Sequence, residues 1–355
     1  MRWLSVLLAL ATLAAGCAST QTPPQQAQTD FSNPVLDSDF PDPAVVRASD
    51  GFFYAYATQT ERDGRSINIQ VARSRDLVRW EHLGDALPVK PAWASKTQDF
   101  WAPDVAEHGG RYYLYYSGKP DAALTDDKKG LCLAVATADR PEGPFTDVGQ
   151  PLQCGEGFVN IDPMAFDDPV TGKRLLYWGS GFKPIKVREL APDRVSFAEG
   201  STAIDLVPAV PTDDPTNYQR LVEGAWVIHR PPFYYLFYSG DNCCGPGLHY
   251  AAMVARSRSA TGPFETLEAA TGKPSSVILE KTAEWGGPGH NSVVRDDAGT
   301  DWIVYHAVDT ANTRLKPESD VNTRRILLID RLVYEKGWPR AAGPTEGPQP
   351  APVVR

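Results

Sequence analysis

The sequence predicts an all-β fold, a five-bladed β-propeller, because three landmarks repeat in phase along the chain. The first is an acidic or polar residue just before a short apolar run, and the second is an aromatic strand that follows it. The third is a further strand rich in β-branched residues. Each landmark occurs five times at intervals of about 60 residues, which is enough for a four-stranded blade with generous loops. We therefore assign residues 31–340 to the propeller.

The anchor residues that begin the repeats differ in chemistry but share one position: Asp42, Asp104, Asp162, Glu223 and His290. Aromatic strands follow at residues 52–56, 112–116, 175–178, 234–238 and 302–305, and third strands at 67–74, 131–138, 184–190, 248–257 and 325–332. Four repeats then reach an aromatic residue: Trp80, Phe145, Phe264 and Trp338. Such runs, bounded by Gly, Pro, Asp and Asn, are typical of strands. A pair of β-sandwiches is the alternative, but it would not keep three landmarks in phase.

The two ends of the chain lie outside the repeat. Arg2 and the apolar residues 4–15 have the charge and length of a signal peptide, and small residues before Cys17 are typical of bacterial lipoprotein processing. We expect residues 1–17 to be a lipoprotein-type signal peptide, with ordinary secretory cleavage as the alternative. Residues 18–30 are polar and rich in Pro and Gln, which predicts a flexible linker. The Pro- and Gly-rich residues 341–355 are expected to form an irregular tail.

Charge and cysteine content restrict the class of ligand. The formal net charge is −9 and no basic cluster is present, which argues against a nucleic-acid partner. A disulfide between Cys132 and Cys154 would lie within one predicted blade and its exit loop. Cys243 and Cys244 either form a vicinal disulfide or stay reduced. The sequence contains no C-x-x-C motif, so a zinc site is not supported.

Three of the anchors predict a catalytic centre. The innermost strand of each blade lines the central channel, so Asp42, Asp162 and Glu223 should surround one axial pocket. Cleavage of a glycosidic bond needs one protonated and one ionised carboxylate, and a third can raise the pKa of the acid or orient it. A turn or cap is the alternative for each alone, but Asp162 and Glu223 are embedded in apolar sequence, where an unpaired carboxylate is costly. For Asp104 we expect a turn, with its side chain off the axis and without a chemical role.

Six phrases resemble glycoside hydrolase family 43 and occur in that family's order. They are NPVLDSDFPDPAVVR (33–47), SRDLVRW (74–80), WAPDV (101–105), FVNIDPMAFDD (158–168), VEGAWVIHR (222–230) and GPGHNSVV (287–294). The resemblance spans roughly residues 31–339. It implies a five-bladed propeller that hydrolyses α-L-arabinofuranosyl and β-D-xylosyl linkages with inversion. It further implies that Asp42 is the general base, that Glu223 is the general acid, and that Asp162 tunes the pKa of the acid and orients it.

The resemblance implies roles for two further residues. Arg325 would lie near a substrate hydroxyl and the tuning carboxylate, with a solvated strand arginine as the alternative. His290 would lie near a calcium or sodium ion in the channel, with a hydrogen-bonded channel histidine as the alternative. Trp101 is a candidate sugar-stacking platform because an aromatic face offers apolar area to a sugar, although packing between blades would also explain it. Hydrolysis itself requires no cofactor.

These observations predict an exported glycoside hydrolase acting on plant cell-wall polysaccharide. The phrases around His290, Tyr305 and Trp338 look more like arabinan-active members, whereas the opening PDP looks like the xylosidase and arabinofuranosidase branch. Arabinose is favoured, as an arabinofuranosidase or an arabinan endo-1,5-α-L-arabinosidase. A β-xylosidase and a non-catalytic glycan-binding lipoprotein are the alternatives. Loops at 205–220 or 241–247 could wall one end of the pocket and force exo action. We expect a periplasmic or cell-surface monomer, attached to the bacterial outer membrane only by a lipid at Cys17.

Overall fold

The computed structural model describes residues 29–315 and 323–355, and it confirms the predicted five-bladed propeller. The predicted signal peptide and residues 18–28 of the predicted linker lie outside the described residues. Five antiparallel sheets of four successive strands follow one another along the chain. The innermost strands contact each other in a closed ring, first to second and so on, with the fifth against the first.

Chain order begins with β1 (Asp30–Phe31) and then the strands of the five blades, which we list from the innermost outward. Blade 1 contains β2 (Ala44–Arg47), β3 (Phe53–Ala57), β6 (Gln70–Ser74) and β7 (Trp80–Asp85), with the hairpin β4 (Thr60–Arg62) and β5 (Arg65–Ile67) inserted. Blade 2 contains β8 (Phe100–His108), β9 (Arg111–Gly118), β10 (Cys132–Ala138) and β11 (Thr146–Asp147), with β12 (Gln153–Cys154) beside β10. Blade 3 contains β13 (Met164–Asp167), β14 (Arg174–Trp178), β15 (Lys186–Glu189) and β16 (Ile204–Asp205).

The last two blades are longer. Blade 4 contains β17 (Glu223–Arg230), β18 (Phe233–Asn242), β19 (His249–Ser257) and β20 (Glu265–Thr266), with β21 (Val277–Leu279) beside β19. Blade 5 contains β22 (Trp285–Arg295), β23 (Asp301–Asp309), β24 (Ile326–Glu335) and β25 (Trp338–Ala341). One short α-helix, α1 (Leu267–Thr271), and three 3₁₀ turns at Ala92–Ala94, Asp121–Leu124 and Tyr218–Arg220 complete the described elements. None of the described helices is long and apolar enough to cross a membrane.

The apolar core lies between neighbouring blades, not within any one of them. Each of five buried clusters joins two adjacent blades, and the fifth joins blade 5 to blade 1. The aromatic strands of the sequence repeat supply much of this core as the second strand of each blade. Tyr56, Tyr116 and Tyr305, for example, are fully buried in these clusters. Alternation along a strand sends side chains to opposite faces, so one strand serves two interfaces.

The C-terminal tail is more ordered than predicted. Within the predicted irregular segment 341–355, β26 (Gln349–Pro350) pairs antiparallel with β1. The amide of Ala351 donates to the carbonyl of Thr29 at 3.0 Å, and the amide of Val353 donates to Asp296 Oδ2 at 3.1 Å. Ala351 is buried with Phe31 in the cluster between blades 5 and 1. The apolar residues in this Pro-rich stretch explain the difference, because they pack into the cluster between blades 5 and 1, where the ring of blades closes.

Both pairs of cysteines in the folded part are disulfide-bonded. Cys132 and Cys154 are directly opposite each other on β10 and β12, as the sequence made plausible. Cys243 and Cys244 form the vicinal disulfide that was one of the two alternatives.

Candidate active site

A residue in the left-handed region marks the entrance to the innermost strand of every blade. The φ angles are 57° at Asp42, 43° at Ala102, 60° at Asp162, 61° at Gly224 and 46° at His290. In blades 2 and 4 the residues equivalent to Asp42, Asp162 and His290 are therefore Ala102 and Gly224, not the anchors Asp104 and Glu223 that the sequence repeat suggested. Glu223 lies one residue before Gly224. Residues other than glycine rarely adopt this backbone conformation, and those that do are often found at functional sites.

Polar side chains on the second strand of one blade hold the entrance residue of the next. The amide of Ala102 donates to Thr58 Oγ1 at 2.7 Å, and the amide of Asp162 donates to Ser117 Oγ at 3.0 Å. The amides of His290 and Asp42 donate to Ser239 Oγ at 2.8 Å and His306 Nδ1 at 3.1 Å. Sequence reasoning missed these residues. Their signal is a hydroxyl residue or histidine one or two positions after each aromatic strand.

Between blades 3 and 4 the corresponding hydroxyl serves a carboxylate. Ser180 Oγ donates to Glu223 Oε2 at 2.8 Å, and Tyr250 donates its hydroxyl to Oε1 at 2.9 Å. Burial raises the pKa of Glu223 to about 7, and the charge of Asp42 acts in the same direction against the two hydroxyl groups, which lower it. Glu223 can therefore hold a proton near neutral pH, as a general acid must.

Asp42 has the opposite electrostatic environment. Arg325 Nη1 donates to its Oδ1 at 2.8 Å and Thr58 Oγ1 donates to its Oδ2 at 2.6 Å. Burial alone would raise the pKa of Asp42, but these groups outweigh it and hold the pKa below the usual range. His290 and His306 also lie beside Asp42, yet burial lowers the pKa of both imidazoles and leaves them neutral near pH 7. The guanidinium of Arg325 is thus the positive charge that keeps Asp42 ionised.

Asp162 lies beside Glu223 and His290. The amide of Gly224 donates to its Oδ2 at 3.0 Å, and His290 Nδ1 lies 3.9 Å from the same oxygen and 3.4 Å from Asp42 Oδ1. Burial, then Glu223 and Asp42, raise the pKa of Asp162 well above its usual value. Near neutral pH the pair of Asp162 and Glu223 therefore retains at least one proton while Asp42 is ionised. One buried pocket holds an acid and a base together.

Arg325 is placed by an acidic neighbour immediately before β24. Its backbone amide donates to Asp39 Oδ1 at 3.1 Å, and Asp39 Oδ2 accepts from Thr60 Oγ1 at 2.8 Å. Among the described residues, its Nε has no hydrogen-bond partner although it is buried. Arg324 turns away and pairs with the exposed Asp37. Of these two adjacent arginines, Arg325 is therefore the one that contacts Asp42.

Two other sequence candidates, Asp104 and Trp101, occupy defined places. Asp104 is not in a turn but in β8, where it is buried and its Oδ2 accepts from the amide of Ala165 at 2.8 Å. Burial raises the pKa of Asp104 to about 7. This bond links the innermost strands of blades 2 and 3, and Asp104 lines the same channel as Asp42 and Asp162, contrary to the expected position off the axis. Trp101 is half-buried at the pocket end of β8.

The residues near His290 offer some of the donor atoms that a hard cation needs. Single atoms of Asp162, Glu223 and His290 lie within 4.8 Å of one another. The channel behind them is also lined by Asn291, whose buried amide atoms have no partner among the described residues. Calcium and sodium prefer oxygen ligands, with His a minor ligand among waters. The residues present fit an ion held largely by water.

Comparisons with known proteins identify a family and similar sequences and structures. The model of the family described as Glycosyl hydrolases family 43 matches residues 31–339. An extracellular exo-α-(1→5)-L-arabinofuranosidase of Cellvibrio japonicus (strain Ueda107) is 26% identical over 319 residues, covering 85% of this chain and 86% of the relative. A β-D-galactofuranosidase of Aspergillus niger is 28% identical over 340 residues, covering 89% and 88%. The crystal structure of a thermostable family-43 glycoside hydrolase is similar with a TM-score of 0.72 at 27% identity, covering 92% of this chain and 100% of that one.

Proposed function

Because the chain belongs to glycosyl hydrolase family 43 and is therefore a glycoside hydrolase, we propose that it cleaves α-L-arabinofuranosyl linkages of plant cell-wall polysaccharide by single-displacement inversion. The observation that carries the proposal is the contrast between two buried carboxylates of one site: Asp42 accepts from the Arg325 guanidinium, whereas Glu223 accepts from two neutral hydroxyl groups. An inverting hydrolase needs both protonation states at the same pH.

The reaction assigns one proton transfer to each carboxylate. Asp42 accepts a proton from a water molecule as that water attacks the anomeric carbon. Glu223 donates its proton to the glycosidic oxygen as the bond to the anomeric carbon breaks on the opposite face. The products are a sugar of inverted anomeric configuration and the shortened chain. A separation of about 6.5–9.5 Å between the two carboxyl groups would leave room for the water.

Asp162 and Arg325 act on these two groups. Both oxygens of Asp42 accept hydrogen bonds, so its position is fixed while it remains ionised. Asp162 accepts from the amide of Gly224, the residue after the acid, and the charge of Glu223 raises the pKa of Asp162, so the two carboxyl groups compete for a proton. We assign Asp162 the tuning and orienting role, and we assign the free Nε of Arg325 and the face of Trp101 to substrate binding.

The names of the relatives favour a furanoside substrate. One is an arabinofuranosidase and another a galactofuranosidase, and both align over more than four fifths of this chain. Arabinofuranose therefore remains the favoured sugar, with a β-xyloside as the alternative within the family. A glycan-binding protein without turnover is the alternative outside it.

Exo action is favoured by the loop after β18. Asn242 Nδ2 donates to the carbonyl groups of Pro246 and Gly247, each at 3.0 Å, and the amide of Gly245 donates to Thr323 Oγ1 of blade 5 at 2.5 Å. Cys243 Sγ lies 3.9 Å from Arg325 Nη1. This loop covers the side of the pocket next to the base. A wall there would admit a terminal sugar and block a continuing chain.

A substrate panel tests the proposal directly. Purified protein is incubated with nitrophenyl glycosides of α-L-arabinofuranose, β-D-galactofuranose and β-D-xylose, and with linear arabinan. We expect arabinose release from the first and single-sugar release from arabinan, with the inverted anomer as the first product by NMR. Larger fragments from arabinan would indicate endo action. Binding of arabinan without turnover of any substrate would contradict the proposal.

An ion beside His290 and the cellular location complete the proposal. If calcium occupies the channel, chelation should lower the melting temperature as well as activity, and added calcium should restore both. For location, two disulfides are typical of an exported protein. We propose export to the periplasm or cell surface as a monomer attached through Cys17, so replacement of Cys17 by alanine should move the protein from the membrane fraction to the soluble one.

A further inference from the structure

Phe182 is an aromatic side chain with no evident structural reason to be where it is. It is 64% exposed, more than any other aromatic residue among those described. Its φ angle is 61°, in the left-handed region. A turn that needs this backbone conformation would ordinarily take glycine or asparagine. A bulky residue held there against its preference is often part of a site.

The loop that carries Phe182 is joined to the catalytic acid. It connects β14 to β15 and begins with Ser180, whose hydroxyl donates to Glu223. At Gly181 an added Cβ would lie 2.7 Å from Val159 Cγ1, so the loop packs closely on the segment that leads to Asp162. Phe182 is therefore at the same end of the propeller as the carboxylates.

A second aromatic side chain lies against Phe182. The ring of Phe158 is 6.1 Å away, centroid to centroid, at an interplanar angle of 67°. Phe158 is half-buried, and it precedes Asp162 by four residues in the same segment. An edge-to-face pair of this kind fixes the outer ring and leaves one of its faces open. Single exposed apolar residues are common, but an oriented pair that includes a residue of the loop contacting the proposed acid through Ser180 is not explained in that way.

We propose that Phe182, supported by Phe158, stacks on the sugar ring on the leaving-group side of the scissile bond. The inference rests on the proposed function. A general acid lies beside the departing oxygen, so groups next to Glu223 and away from Asp42 face the departing part of the substrate. The opposite side, near Arg325, is covered by the loop at Cys243. A flat apolar ring suits the C–H face of a sugar that carries no charge, and the ligand is a pentofuranosyl unit of the shortened chain.

The test compares two substrates that differ only beyond the scissile bond. Methyl α-L-arabinofuranoside has no sugar on the leaving-group side, whereas α-1,5-arabinotriose has two when its terminal sugar is released. The selectivity is the ratio of kcat/KM for arabinotriose to that for the methyl glycoside. Phe182→Gly should lower this ratio about tenfold, because it removes the ring and keeps the backbone conformation unstrained. Phe182→Trp should retain the wild-type ratio, which a purely structural role would not require.

Leu124→Ala is the matched control. Leu124 is 52% exposed and lies on the equivalent loop of blade 2, so it is also an exposed apolar side chain between the second and third strands of a blade, but it is not an aromatic platform. Its ratio should equal that of wild type. An unchanged ratio in Phe182→Gly, with wild-type melting temperature, would overturn the stacking role of Phe182. It would leave the proposed hydrolase function unaffected. If wild type releases xylose or galactose instead, the same ratio is measured with those glycosides, and if it cleaves none, both proposals fail.

Discussion

Arg325 donates a hydrogen bond from Nη1 to Oδ1 of Asp42 at 2.8 Å, although the two residues are 283 positions apart in sequence. Asp42 enters the first blade and Arg325 precedes the third strand of the last. The contact therefore exists only once the ring of blades has closed. The low pKa of Asp42 therefore also depends on closure of the ring, because Arg325 is brought beside it by that closure.

The two carboxylates should be distinguishable by the leaving group of the substrate. Glu223→Ala should lose about a thousandfold in kcat/KM on arabino-oligosaccharides but much less on dinitrophenyl arabinofuranoside, whose leaving group needs no proton. Asp42→Ala should lose activity on both, because water still needs a base. Steady-state kinetics measure the effect, with circular dichroism to check the fold. Equal losses on both substrates in Glu223→Ala would remove it from the role of acid.

Removal of the Ser180 hydroxyl should move the alkaline limb of the pH profile. Activity requires protonated Glu223, whose pKa is about 7, so kcat/KM should fall above about that pH. The Ser180 hydrogen bond lowers this pKa, and Ser180→Ala should therefore shift the limb to higher pH. Ser239→Ala, the equivalent change in blade 4, serves as the control because the Ser239 hydroxyl accepts from the amide of His290, whereas Ser239 is paired with Glu223 only through the strand backbone. A shift to lower pH would contradict the assignment.

Neutralising Arg325 should move the acidic limb. The guanidinium opposes burial and keeps the pKa of Asp42 below its usual range, so in Arg325→Gln burial should dominate and the pKa should rise. The base is then lost at a higher pH, and the acidic limb of kcat/KM should move toward neutrality. Arg324→Gln is the neighbouring control, since Arg324 pairs with Asp37. An acidic limb that stays in place in Arg325→Gln would mean that another group sets the charge of Asp42.

Asp162→Asn should stabilise the protein at alkaline pH. Burial raises the pKa of Asp162 above its unfolded value, so the folded state binds the proton more tightly and wild-type stability falls as pH rises above about 4. Asparagine tolerates the left-handed backbone and can still accept from Gly224. We expect a gain of about 1–2 kcal/mol in unfolding free energy at pH 8, shrinking toward pH 4, together with loss of activity.

Asp104→Asn is the matched variant for that experiment. Asp104 is equally buried, and its pKa is raised to about 7, but it bonds only to backbone amides among its described partners. Denaturant unfolding at pH 8 should show a similar gain, while kcat/KM should stay at the wild-type value. A loss of stability in both variants would mean that hydrogen bonds from neighbouring groups stabilise the two charged carboxylates by more than burial destabilises them.

The repeat made the fold predictable, because short aromatic strands at a fixed interval leave few other architectures. Asp42, Asp162 and Glu223 were likewise predictable as one cluster from their equivalent places in the blades. The register in blades 2 and 4 was not, since the left-handed backbone at Ala102 and Gly224 carries no distinctive side chain. The hydroxyl groups of Ser180 and Tyr250 were also missed, because Ser180 lies in another blade and Tyr250 is two strands away from Glu223, and sequence distance hides both contacts.

The pairing of β1 with β26 brings the two ends of the described propeller within one strand spacing of each other. Every apolar cluster spans two blades, so each blade packs on its two neighbours in the same way and none forms a core of its own. The order in which the chain visits the blades is consequently independent of the geometry they build. A gene rearranged so that translation starts at another blade, with the present ends joined by a short linker, would encode the same ring and the same pocket.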